Sequence, residues 1–98
     1  MIDHLVLIKP KPGIDADAVS EMWAGIRKLK DVIPGIEDVA TGPNTSPEGL
    51  DRGFTVGFTV RFVDAAARDA YLPHPAHLAA VPLVLAVADE VLVFDLER

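Results

Sequence analysis

Four short segments of strand character alternate with two longer segments of helical repeat. That alternation predicts an α+β protomer with the element order β-α-β-β-α-β. The chain has 98 residues, half of them hydrophobic, enough for one packed core and too few for two. Residues 1–98 are therefore read as a single domain. The order is that of the ferredoxin-like split βαβ pattern, in which an antiparallel sheet carries its helices on one face.

The first strand is read at residues 2–8, Ile-Asp-His-Leu-Val-Leu-Ile, and stops at Lys9-Pro10-Lys11-Pro12-Gly13. Asp15 or Asp17 then opens a helix, where a carboxylate caps free N–H groups and meets the positive end of the dipole. Val19, Met22, Trp23, Ile26, Leu29 and Ile33 recur at three- and four-residue steps and form one apolar stripe. Pro34-Gly35 ends that helix. A short strand follows at residues 36–41, then a loop rich in Gly, Pro, Asn and Ser up to Gly53. In residues 54–62, Phe54, Val56, Phe58, Val60 and Phe62 share one face, with Thr55, Gly57, Thr59 and Arg61 opposite. Asp64 is the expected cap of a second helix carrying Ala66, Ala67, Ala70 and Tyr71. Pro73 and Pro75 interrupt it, Pro75 opens a new helical piece, and Pro82 is expected to restart it once more. Residues 90–96 give the last strand.

Helices on one side of a four-stranded sheet leave the other side to water or to a partner. In the first strand His4, Val6 and Ile8 point one way, and Leu5 and Leu7 the other. In the last strand Val91 and Val93 oppose Leu92, Phe94 and Leu96. These two strands are expected at the centre of the sheet, and both are apolar on both faces. The second face is thus expected to be buried against a second copy, giving a two-fold homodimer. The polar Thr55/Gly57/Thr59/Arg61 side of the third strand fits a wet face instead.

Fifteen acidic residues against nine basic ones give a net charge of −6. This balance disfavours nucleic acid and anionic membrane surfaces as partners. The absence of cysteine excludes disulfides, thiolate metal sites and thiol nucleophiles. The first strand begins directly after Met1, and the longest apolar stretch, residues 78–88, is roughly half of a membrane span. A cytoplasmic protein is expected.

Several separate motifs then resemble one family, the stress-responsive dimeric α/β-barrel (Dabb) proteins. They are His4-Leu5-Val6-Leu7-Ile8-Lys9, Ile33-Pro34-Gly35-Ile36, the Gly42-Pro43-Asn44 turn, Ser46-Pro47-Glu48-Gly49-Leu50, Tyr71, His74-Pro75-Ala76-His77 and Leu92-Val93-Phe94-Asp95. The resemblance runs nearly end to end. It implies a ferredoxin-like protomer and a dimer whose sheets face each other as a barrel. It implies no single activity. Many members have no assigned reaction, and some are linked to stress or defence. A polyketide-cyclase branch closes a linear chain by intramolecular aldol condensation, with a tyrosine and, six residues on, a histidine inside His-Pro-Ala-His. The matching positions are Tyr71 and His77, and His4 matches a histidine of that branch's first strand. That branch has a further histidine where this chain has Val56, and its aromatic pocket residues are matched only in part, near Trp23.

The chemistry of such a closure sets the roles. Histidine suits the base that removes a proton beside a carbonyl, and a tyrosine hydroxyl suits the donor that steadies the developing oxyanion. His77 and Tyr71 are the candidate catalytic pair, and His4, Trp23 and His74 the candidate pocket residues. Each has a structural alternative: Tyr71 as a core anchor, His77 bonded to a backbone carbonyl, His4 as a satisfied core histidine and Trp23 as core. His74 and His77, three residues apart, could with His4 imitate a metal site. No carboxylate motif accompanies them and Pro75 lies between them, so no metal and no cofactor is expected. Three functions follow: a homodimer binding a small apolar molecule, a cyclase-like enzyme, or an oligomerisation module without ligand.

Overall fold

A computed structural model describes residues 1–98. The elements are β1 (Ile2–Pro10), α1 (Ala16–Lys28), a single 3-10 turn (Leu29–Asp31), β2 (Ile36–Pro43), β3 (Val56–Phe62), α2 (Ala65–Tyr71), α3 (Pro75–Val87) and β4 (Ala88–Glu97). The sheet has the order β2-β3-β1-β4 and is antiparallel throughout. The ferredoxin-like α+β architecture is as expected.

The position of the last strand is corrected. β4 is an edge strand, and the interior pair is β1 and β3. The reason is topological: β2 already occupies the outer edge of β3, so the free edge of β1 is the place left for β4. The third strand is also shorter than its alternation suggested. It begins at Val56, and Phe54 lies before it, beneath the Lys9 ammonium at 5.5 Å.

Capping carboxylates start two helices. Asp15 accepts from the Asp17 N–H at 2.8 Å, and Asp64 from the Ala67 N–H at 2.8 Å. Pro82 does not restart α3 but sits inside it. Pro82 and Leu78, four residues before it, are both exposed. The one carbonyl left without its N–H therefore stands on the outer side of the helix, where water can satisfy it.

The register explains the core. Ile2, His4, Val6 and Ile8 of β1 stand beside Phe62, Val60, Phe58 and Val56 of β3, and this side meets the helices. Met22 and Ile26 of α1, Leu29 and Ile33 after it, Tyr71 of α2, and Ala80 and Val87 of α3 close the cluster. The opposite face carries Leu5, Leu7, Leu92, Phe94 and Leu96 with no helix over it, and Phe94 is 58% exposed. No single helix is long and apolar enough to cross a membrane. α2 and α3 reach that length and composition only together, across a 70° bend.

Gly35 is fixed twice over. Its φ of +89° is costly for any side chain, and a Cβ would stand 2.6 Å from the Ala67 methyl of α2. Its carbonyl accepts the Val63 N–H at 3.0 Å, tying the end of the first helical segment to the end of β3. Gly35→Ala is predicted to cost about 1–3 kcal/mol from backbone strain and collision. Urea unfolding with an unchanged slope and a lower midpoint is the expected result.

Candidate functional site

The site is built on the break between α2 and α3. Pro73 and Pro75 lack the N–H groups a continuous helix needs, and the residue before a proline favours extended backbone. His74 accordingly has φ −62° and ψ 135°, and Pro75 takes the first turn of α3, where a missing N–H costs nothing. The chain bends by 70° here. Tyr71 at the end of α2 and His77 in the first turn of α3 are thereby brought face to face, ring centroids 4.2 Å apart and tilted by 33°.

Tyr71 is 1% exposed and lies edge-on to Phe62 at 4.9 Å and to His4 at 5.8 Å. Its hydroxyl has no hydrogen-bond partner within the chain and borders a cavity. Burial pushes its pKa up to about 12 from an ordinary value of 10.0. At neutral pH it is therefore a proton donor and never a base.

His77 Nδ1 lies 2.9 Å from the Leu72 carbonyl, an acceptor set free where α2 ends. The carbonyl can only accept, so Nδ1 carries a proton, and in the neutral ring Nε2 keeps its lone pair. His4, 6% exposed, has its Nδ1 at 2.6 Å from Asp95 Oδ1 across the β1–β4 pair. A carboxylate also only accepts, so His4 shares the same tautomer. Asp95 in turn accepts from Arg68 Nη1 of α2 at 2.7 Å. Burial pushes the Asp95 carboxyl up, but the hydrogen bonds from Arg68 and His4 outweigh it and leave it below the ordinary carboxylate range.

His4, Tyr71 and His77 line one cavity of about 320 Å³, and the rest of its wall is apolar, including Val6, Ile26, Phe58, Val84, Val91 and Val93. The cavity lies between α3 and the β1–β4 side of the sheet. Val91 stands four residues along β4 from Asp95, about 13 Å at strand rise. One end of the cavity is thus polar and the other greasy. It falls at the small end of the range for ligand pockets.

Two of the expected pocket residues are placed elsewhere. His74 caps α3, its Nδ1 accepting the Ala76 N–H at 3.0 Å, and is not part of the cavity wall. The position before proline at a helix start explains this use of the ring. Trp23 packs half-buried against the core from α1, away from the cavity, and its indole N–H has no partner. Asp95 and Arg68 carried no assigned role from the sequence. Asp95 becomes meaningful only through the register that sets it opposite His4. No three His, Cys, Asp or Glu side chains come close enough together to hold a metal ion.

The family model described as Stress responsive A/B Barrel Domain, Dabb, matches residues 2–98. This chain belongs to the Dabb family. Among solved structures, a dimeric ferredoxin-like protein of unknown function from Jannaschia sp. CCS1 is 35% identical. It superimposes with a TM-score of 0.87 over 99% of this chain and 98% of its own. An Arabidopsis thaliana protein is 28% identical with a TM-score of 0.91, covering 100% of this chain and 95% of that one. Among characterised relatives, olivetolic acid cyclase of Cannabis sativa is 26% identical over 94 residues, 96% of this Dabb chain and 93% of the cyclase.

Tyr71 is the chain's single tyrosine, so tyrosinate absorbance reads it alone. The predicted midpoint is about 12 rather than 10. The folded value is raised, so the stability linked to the neutral phenol is fully present below pH 10 and is lost as pH rises through about 12. Tyr71→Phe removes no bond within the chain. It should leave the unfolding midpoint within about 0.5 kcal/mol of the parent.

Proposed function

We propose that this Dabb chain forms a homodimer through its open sheet face and that each protomer binds a small, mostly apolar molecule bearing a carbonyl or hydroxyl group. The observation that carries the reading is the cavity's polar end. A buried phenol without a partner and an imidazole Nε2 with a free lone pair border the same apolar space. The Tyr71 hydroxyl, unpaired within the chain, opens onto this space, and a ligand oxygen accepting from it gives the phenol a fixed partner. The homodimer is supported by Leu92, Phe94 and Leu96 on the uncovered face and by the dimeric form of the Jannaschia relative.

A second reading, intramolecular aldol closure of a linear polyketide, is favoured by one further observation. The Leu72 carbonyl orients His77 so that, in the neutral ring, Nε2 is the free acceptor, while burial keeps Tyr71 a donor, and these are the two roles the reaction requires. His77 Nε2 would take a proton from the carbon between two carbonyls. The enolate carbon would attack a distant carbonyl, and Tyr71 would donate to the oxygen that becomes negative. The likeness to olivetolic acid cyclase supports this reading.

The experiment is a panel of short alkyl ketones, alkyl phenols and linear β-polyketide thioesters, followed first by binding and then by turnover. Binding of at least one member, weakened by Tyr71→Phe, is the expected result. If the chain is a cyclase, His77→Ala should lower turnover on the order of 10²-fold or more, and Tyr71→Phe by a similar factor. A panel without any binder overturns the ligand reading. Turnover indifferent to both substitutions overturns the cyclase reading alone.

A further inference from the structure

The three histidines divide by tautomer, and the division follows their partners. His74 Nδ1 accepts a backbone N–H, so its proton lies on Nε2. His4 and His77 both give Nδ1–H to acceptors, a carboxylate and a carbonyl, so in the neutral ring each turns a lone pair on Nε2 away from its partner. Both line the cavity. The supports differ in rigidity. The Leu72 carbonyl belongs to the backbone and cannot turn. Asp95 is a side chain at an edge strand, free to rotate unless something holds its second oxygen.

Arg68 holds it. Its Nη1 donates to Asp95 Oδ2 at 2.7 Å, while its Nε donates to Asp69 Oδ1 at 2.8 Å. The guanidinium is thus oriented at both ends by planar, directional bonds. With Oδ2 engaged from α2, Oδ1 is left facing β1 and meets His4 Nδ1. The three groups form one relay, Arg68–Asp95–His4, that runs from α2 through β4 to the cavity wall.

We propose that Arg68 is a positioning residue: by fixing Asp95 it holds His4 as a Nδ1–H imidazole, so that His4 Nε2 serves the cavity as a second proton acceptor beside His77. The use of that acceptor rests on the cavity being a ligand site, whereas the tautomer does not. In ligand terms, Tyr71 offers one donor, and His77 and His4 offer two acceptors. The matching compound carries one acceptor oxygen and two hydroxyl or enol donors on a compact head, with an apolar remainder along Val84, Val91 and Val93. A compact head with two hydroxyls and one carbonyl oxygen has that pattern. A simple ketone does not.

The test is long-range ¹H–¹⁵N correlation of the imidazole nitrogens in uniformly labelled, ligand-free protein, at a pH where the rings are neutral. In the parent protein His4 and His77 should show the Nδ1–H pattern and His74 the Nε2–H pattern, which serves as internal reference. Arg68→Gln should turn the His4 pattern into a mixture or into Nε2–H, leave His77 and His74 unmoved, and leave the fold intact. Arg68→Lys, which keeps a cationic donor near Asp95, should restore the parent pattern at least in part. If His4 keeps a pure Nδ1–H pattern in Arg68→Gln, Asp95 needs no support and the proposal fails. A change in all three histidines also overturns it, since the effect would then be general. A ligand panel that finds no binder while the tautomers behave as stated overturns the ligand reading and leaves the positioning role standing.

Discussion

The structure depends on a mismatch of widths. Four antiparallel strands make a sheet wider than the helices above it can cover, and on the far side nothing from the same chain covers it at all. α1 and α3 pack closely where Gly25 meets Leu83, and together with α2 they bury the inner faces of β3 and β1. β4 lies outside that cover. Every residue of it beyond Ala88 is exposed except Asp95, including Val93 at 54% on the helix side. Apolar groups left near water on both faces of one edge strand need different solutions. On the helix side the gap is the cavity. On the far side the exposed Leu92, Phe94 and Leu96 form the surface through which association is proposed.

The polar end of the cavity arises from the same kind of local incompleteness. A continuous helix from Ala65 to Val87 would satisfy its own carbonyls and would place residues 71 and 77 on different faces, since six steps span about 600° of turn. The two prolines forbid that helix. The break frees the Leu72 carbonyl, turns α3 by 70°, and puts Tyr71 against His77. One backbone defect therefore supplies the bend, the contact and the tautomer. The His4 side is built by other means, a cross-strand pair locked by an arginine from α2. The cavity thus has one imidazole held by backbone and another held by side chains.

Much of this could be read from the residues, and what could not has definite causes. The helical stripe through Met22, Ile26, Leu29 and Ile33 and the alternation from Val56 to Phe62 are periodic signals, and both correspond to buried faces. The break between Tyr71 and His77 was accessible because prolines mark it by chemistry alone, whereas the choice of that pair rests on the family resemblance. The outward position of β4 was not. Its apolar sequence is that of a central strand, and only the use of both β3 edges by β1 and β2 sends it to the margin. Asp95 and Arg68 were silent for a similar reason, because their meaning lies in register and in the tilt of α2. His74 misled by composition. A histidine beside a candidate site suggested pocket lining, but its place before Pro75 made it a cap. On the open face, the Thr59 and Arg61 side of β3 is polar, and Arg61 pairs with Asp3, which also accepts from Arg98. That ion cluster leaves the adjoining Leu5, Leu7 and Phe94 as an uninterrupted apolar stripe.

Sedimentation equilibrium over micromolar concentrations tests the mismatch most directly. A sheet that exposes this much apolar surface on its uncovered side should sediment at twice the mass of the 98-residue chain, and Phe94→Asp should shift it to the mass of one. A parent protein that stays at the mass of one chain throughout that range would contradict the account, because the outer face would then be stable in water without a partner.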